Sequence, residues 1–135
     1  MLFRSQRVQN TLARVVLHRR KFEHIMPAMK ELHWLPVQCR VTFKTAVLLH
    51  SIKNTGQPAY LRQLLQDYEP VRSLRSSTKN LICKTSAETV LASRGFRHLA
   101  VYVWNNLPDN IREAKTWDIF KRKLKTHLCK LAFDT

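Results

Sequence analysis

Glycine is nearly absent, with two in 135 residues. A loop that cradles phosphate needs glycines wherever its backbone approaches the ligand, and a Gly/Ser linker needs more, so both are excluded. Acidic residues are almost as scarce, nine against 24 Lys and Arg. No two are adjacent and the closest pair is Asp67 and Glu69, whereas a two-metal polymerase or nuclease centre needs several carboxylates converging on ions about 4 Å apart. The three cysteines, Cys39, Cys83 and Cys129, form no CxxC or CxxH pair. Their odd number and wide spacing exclude a disulfide framework and fit the thiols of a reducing compartment. His127 and Cys129 come closest to a zinc pair, but residues two apart on a helix diverge. No run approaches the ~18 apolar residues of a membrane span. The length suits one domain of ordinary size and is too short for a complete polymerase, kinase or large hydrolase.

What is abundant is positive charge, a formal +15 with a pI near 10.5. That imbalance concerns partners more than fold, with the phosphate backbone of RNA or DNA the first partner to consider and an anionic membrane the second. Three groups carry it: Arg19, Arg20 and Lys21; Arg72 with Arg75; and Lys121, Arg122 and Lys123 with Lys125. Each suits phosphate contact, which contributes affinity without base preference. Surface lysines also solubilise small domains, but +15 exceeds what that task requires. Six histidines are present, yet no nucleophile elbow or spacing joins any of them to a serine or cysteine. His33, beside Trp34, reads as a packed or capping imidazole. No catalytic residue, metal or cofactor is assigned.

Along the chain, Val8, Leu12, Val15 and Val16 recur at helical intervals. They predict a first helix from about Ser5 to His18 with these four inward and Arg7, Arg14 and Arg19 outward. The first 22 residues are Arg-rich and acid-free, a pattern shared by a surface helix, the reading adopted, and a mitochondrial presequence. Pro27 opens a short helix through Met29 and Leu32, and Pro36 opens the next. The stretch from Val37 to Lys53 is the central helix, leaving Gln38, Arg40, Lys44 and Lys53 to water, and Gly56 suits the left-handed position after it. Pro58 begins a short helix with Tyr60, Leu61, Leu64 and Leu65 inward. Pro70 to Ser77 reads as a basic, serine-rich arm, and Asn80 to Thr85 as a short strand without an obvious partner. Phe96 to Trp104 reads as helical, with a strand through Val101–Val103 left open, and Pro108 starts another turn through Ile111.

The last helix has the plainest pattern. Trp117, Phe120, Leu124, Leu128 and Leu131 make one apolar stripe. Thr116 is its expected N-cap, and lysines and arginines accumulate toward its C-terminus, as the helix dipole favours. The fold class is mainly α: five to seven helices around a basic loop or short strand, with a lead helix over 1–24 and a helical domain over 25–135. Trp34, Trp104 and Trp117 sit in apolar helical patterns and are placed in the core rather than at base-stacking positions. The competing functional reading is a protein-interaction or self-association module in which the last helix offers its stripe to a partner.

Seven motifs occur in order: LHWLP (Leu32 to Pro36), VxxRVxFKxAVLLHxI (Val37 to Ile52), GQPAYLRQLL (Gly56 to Leu65), Tyr68-Glu69-Pro70, RSLRSS (Arg72 to Ser77), WNNLPDNIR (Trp104 to Arg112) and FKRKLKTHL (Phe120 to Leu128). Together they resemble the C-terminal, post-palm region of reverse transcriptases from non-LTR retrotransposons, the LINE elements, in particular the CR1, L2 and jockey-like group. Ser5 to Val16 is similar to the segment that joins that region to the polymerase. The resemblance implies a thumb and trailing helical region that holds template RNA and target DNA, with the catalytic carboxylates in an upstream palm not present here. It makes Leu32, Trp34, Pro36, Gly56, Trp104, Leu107 and Pro108 packing marks of the fold, and Arg72 and Arg75 the foremost nucleic-acid contacts. Arg94 to Val103 departs from the pattern. With Met1 falling inside what would be a longer protein, a truncated element-derived frame or a retained small gene is implied, acting in the nucleus or cytoplasm.

Overall fold

The computed structural model describes residues 2–72, 80–86, 88–93 and 95–134. Among these the chain is helical: α1 (Leu2–Val16), α2 (Ile25–Glu31), α3 (Val37–Thr55), α4 (Ala59–Gln63), α5 (Val90–Ser93), α6 (Phe96–Asn105), α7 (Asp109–Arg112) and α8 (Trp117–Phe133). The mainly α class read from the sequence holds. The eight helices outnumber the expected five to seven because α4, α5 and α7 are single turns. Among the described residues no helix is long and apolar enough to cross a membrane. The chain divides into two compact units, one of residues 1–43 and 124–135, the other of 44–123. Helices α3 and α8 each contribute to both.

In the first unit α1 is turned the opposite way from its apolar periodicity. Val8, Leu12, Val15 and Val16 are all more than half exposed, whereas Gln9 and Ala13 are buried. The reason lies in the Pro36 junction. The Gln9 amide donates to the Leu35 carbonyl at 2.8 Å, and the Gln6 carbonyl oxygen accepts from Val37 N–H, the first orphan donor of α3, at 2.8 Å. Leaving those two backbone groups unpaired at the junction would cost about 1–3 kcal/mol each, which the glutamine face of α1 avoids. The small side chains Ala13 and Ala28 and the buried Met29 then let α1 and α2 meet closely. Arg14, expected outward, is half-buried, with its Nη2 donating to the Glu23 carbonyl.

Two helices end on histidines. His18 and His33 adopt left-handed backbone, φ 50° and 53°, and the residue after each bonds back across the last turn, Arg19 N–H to Arg14 O and Trp34 N–H to Met29 O, both 2.9 Å. His33 therefore caps with its backbone, its imidazole exposed rather than packed. Gly56, φ 71°, ends α3 as its sequence position predicts. Leu32, Trp34 and Pro36 are half-buried around the junction.

The core of the second unit is built on α6. Val101–Val103 lie within the α-helix, which rules out the strand alternative; Ala100, Val101, Val103 and Trp104 are buried, and Leu107 and Ile111 continue the core into α7 behind Pro108. Trp104 lies 6.1 Å from Phe120, and Phe120 stacks on the buried His50 of α3 at 4.2 Å. The His50 Nε2 pairs with the Ala114 carbonyl. Asn80 to Thr85 forms no strand among the described residues. A single antiparallel bridge joins Ile82 to Asp67, and the free side of Ile82 is taken by Asn105, whose amide accepts from Ile82 N–H at 3.0 Å and donates to its carbonyl at 2.8 Å. The indole N–H of Trp104 donates to the Asn80 carbonyl at 2.8 Å.

Three further expectations are corrected. Tyr60 of α4 and Leu64 just after it are exposed, since so short a helix can turn only one edge inward, here half-buried Leu61 and, beyond the helix, buried Leu65. Lys53 does not reach water: its side chain is 10% exposed, its ammonium bonded to Asp67 and lying 5.6 Å from the Trp104 ring. The α8 stripe is buried at Phe120, Leu124 and Leu128 but open at its ends, with Trp117 44% and Leu131 58% exposed. Thr116 does cap α8, accepting from Ile119 N–H.

Trp104→Ala should lower the unfolding free energy by about 3–5 kcal/mol, and Gln9→Ala by about 1–3 kcal/mol. Leu12→Ser should stay within about 0.5 kcal/mol. Urea titrations followed by circular dichroism compare the three, and a Leu12→Ser cost equal to that of Gln9→Ala would place the wrong face of α1 inside.

Candidate nucleic-acid interface

The basic knot after α1 is shaped by the left-handed turn at His18. That turn brings Arg19 and Lys21 back beside the last turns of the helix. Thr11, Arg14, Val15, His18, Arg19 and Lys21 line a concavity of about 690 Å³, and no carboxylate lines it. Arg14 Nε is buried there without a hydrogen-bond partner. Arg20 is exposed but does not line the concavity. Arg14 and His18 were not singled out from the sequence. The signal was present, because Thr11, Arg14, Val15 and His18 fall at the three- and four-residue spacings that share a helix face.

Within the knot the cations differ in freedom. Arg19 is held by two carboxylates, Glu23 at 3.4 Å and Glu31 at 3.2 Å. The hydrogen bonds it donates to Glu31 and Glu23 raise its pKa above the ordinary arginine value. A guanidinium so engaged has fewer donors to offer a phosphate than Lys21 beside it.

On α8 the four predicted cations separate. Lys121, Arg122 and Lys125 lie within one turn of each other, and Lys121 places its ammonium 5.2 Å from the Trp117 ring. Lys123 falls on the other flank and donates to the Asn110 carbonyl at 3.0 Å, an interaction that closes the end of α7. Lys121 and Lys123 belong to the second unit and Lys125 to the first. Arg72 is exposed; Arg75 lies outside the described residues. The helix ends carry further anchors that look cationic in sequence but are internal. Arg112 is 5% exposed, pairs with Asp109, and its Nη1 donates to the Asn105 carbonyl at 3.5 Å.

The carboxylates act as braces inside the fold. Asp67 receives Lys53 and Arg62, and Asp134 receives Lys30 at 3.6 Å. Burial alone would raise the Asp67 pKa, but the hydrogen bonds and charges of Lys53 and Arg62 outweigh it and hold the carboxyl below its usual range. The pKa of the Cys39 thiol is pushed up by burial and, to a smaller extent, by Cys129. Among the described residues no three His, Cys, Asp or Glu side chains converge as a metal site.

No protein-family model matches the chain, nor does any curated protein or solved structure. The reading of the interface therefore rests on its own geometry.

A carboxyl whose pKa is lowered by folding adds stability above its unfolded pKa, and that stability is lost as pH falls through the folded value. The Asp67 contribution should be complete at neutral pH and decline below about pH 4, the ordinary aspartate value. In urea titrations across that range, Asp67→Asn should be less stable than the parent at pH 7 and show a shallower acid decline. Parallel pH curves for parent and variant would mean that Asp67 does not brace Lys53 and Arg62.

Proposed function

We propose that this chain is a non-catalytic, sequence-nonspecific nucleic-acid-binding piece of a protein similar to the reverse transcriptases of non-LTR retrotransposons. The observation that carries the reading is the concavity at the end of α1, lined by Arg14, His18, Arg19 and Lys21 and by no acid. A cavity of that composition attracts anions, and each unit carries further cations for a polyanion: exposed Arg20 and Lys125 in the first, exposed Arg72 and half-buried Lys121 in the second. The net charge of +15 supplies long-range attraction of the same sign.

Absence of polymerase activity belongs to this reading. Glu23 and Glu31 bind Arg19, Asp67 binds Lys53 and Arg62, Asp109 binds Arg112 and Asp134 binds Lys30. Carboxylates distributed in this way serve structural ion pairs rather than a pair of divalent cations. The protein-interaction alternative needs the α8 stripe as a free surface, and Phe120, Leu124 and Leu128 are 3% exposed or less within the chain itself.

If about four phosphates are neutralised, log affinity against log salt should have a slope near −3.6 on duplex and near −2.8 on single strands. Replacing Arg20, Lys21, Lys121 and Lys125 by Gln should flatten it, while Lys123→Gln should change it least. Filter binding at several salt concentrations reads both, and a parent that binds neither RNA nor DNA at low salt overturns the assignment. In a primer-extension assay with RNA template, dNTPs and Mg²⁺, no product above buffer is expected; labelled extension would show a catalytic centre that this reading denies.

A further inference from the structure

Of the three tryptophans, Trp104 is 1% exposed and Trp34 is half-buried, but Trp117 keeps 44% of its surface in water. It stands at the first position of α8, fixed there by the Thr116 cap, one turn before the buried part of the stripe. An indole in that position leaves nearly half of its surface in water, so its packing explains only part of its presence. Its surroundings are cationic. The Lys121 ammonium lies 5.2 Å from the ring centroid, Lys115 is exposed two residues before it, and Asp118 is the carboxylate next to it in sequence.

We propose that Trp117 is a base-stacking platform that gives the interface a preference for single-stranded over duplex nucleic acid. The inference rests on the nucleic-acid reading above and names its ligand class. In a duplex, base faces are already covered by their neighbours, whereas an unpaired strand presents them free. Every base has such a face, so stacking adds affinity without sequence preference. With Lys121 over one part of the indole, the base takes the surface that remains open. Lys115 and Lys121 then receive the flanking phosphates, and Asp118 repels the backbone from its own side, so the strand runs along the lysine flank.

Stacking and phosphate contact leave different signatures. A stacking contact releases no counterions, so its loss shifts log affinity by the same amount at every salt concentration, while loss of a phosphate contact changes the slope. Trp117→Ala should weaken binding of an oligo(dT) or oligo(U) strand by roughly 5- to 150-fold with an unchanged salt slope. Duplex affinity should stay the same. Trp117→Phe keeps an aromatic face and should retain most of the affinity, and Lys121→Gln should reduce the slope instead.

A second measurement does not depend on how the alanine variant folds. Tryptophan emission is recorded for parent and Trp117→Phe as the strand is added, and the parent should lose an emission component that the phenylalanine variant lacks. The outcomes separate the two levels of the argument. Equal quenching of parent and Trp117→Phe, or equal loss of single-strand and duplex affinity in a folded Trp117→Ala protein, overturns the platform and leaves general nucleic-acid binding standing. No salt-dependent binding of either form by the parent overturns both.

Discussion

The indole N–H of Trp104 and the side-chain amide of Asn105 grip one extended segment, at Asn80 and at both backbone groups of Ile82. A lone extended segment in a helical unit leaves backbone donors and acceptors unsatisfied along one edge. Asn105 supplies what a neighbouring strand would have supplied, one donor and one acceptor at the spacing of a single residue. The same turn of α6 sends the Trp104 ring toward Phe120, on which His50 stacks, and places Lys53 over its face. Two consecutive residues thus tie α3, α8 and the 80–82 segment to α6, and Ile82 can be buried although it belongs to no sheet.

Much of the fold was legible because it depends on local rules. Proline at the start of α3 and α7, Gly56 at the end of α3 and Thr116 at the start of α8 are chosen by backbone conformation and capping, which a short window of sequence contains. The burial of Trp104, Leu107, Phe120, Leu124 and Leu128 follows from spacing of the same kind. What failed was decided at long range. Periodicity put the valines of α1 inside, but the orientation was settled by two backbone groups at Leu35 and Val37, some 26 and 31 positions away from the glutamines that satisfy them. Strand patterning leaves Ile82 without a partner because its partner on one side is a side chain, which such patterning does not count.

The interface was legible as clusters and not as geometry. Runs of lysine and arginine can be read directly, yet only the fold distinguishes Arg19, clasped by Glu23 and Glu31, from Lys21 beside it. Lys123 closes α7 while Lys121 accompanies an exposed indole. The scarcity of acid sharpens this division: carboxylates recruited into braces neutralise particular cations, and each one so used leaves the surplus on the remaining surface less compensated. Trp117 illustrates the complementary limit, since a residue on the angular line of a buried stripe is still exposed when it is the first on that line.

The heat capacity of unfolding rises with apolar surface newly exposed, by about 0.45 cal/K/mol per Å², and falls with polar surface, by about 0.26. Helix α1 already holds Val8, Leu12, Val15 and Val16 in water and hides the Gln6 and Gln9 amides. Its detachment therefore opens amide along with the hydrocarbon of Ala13, Ala28 and Met29, and the two contributions work against each other. The enthalpy and entropy of attaching α1 consequently change less with temperature than those of the aromatic stack around Trp104, whose hydrophobic contribution weakens as the protein is cooled.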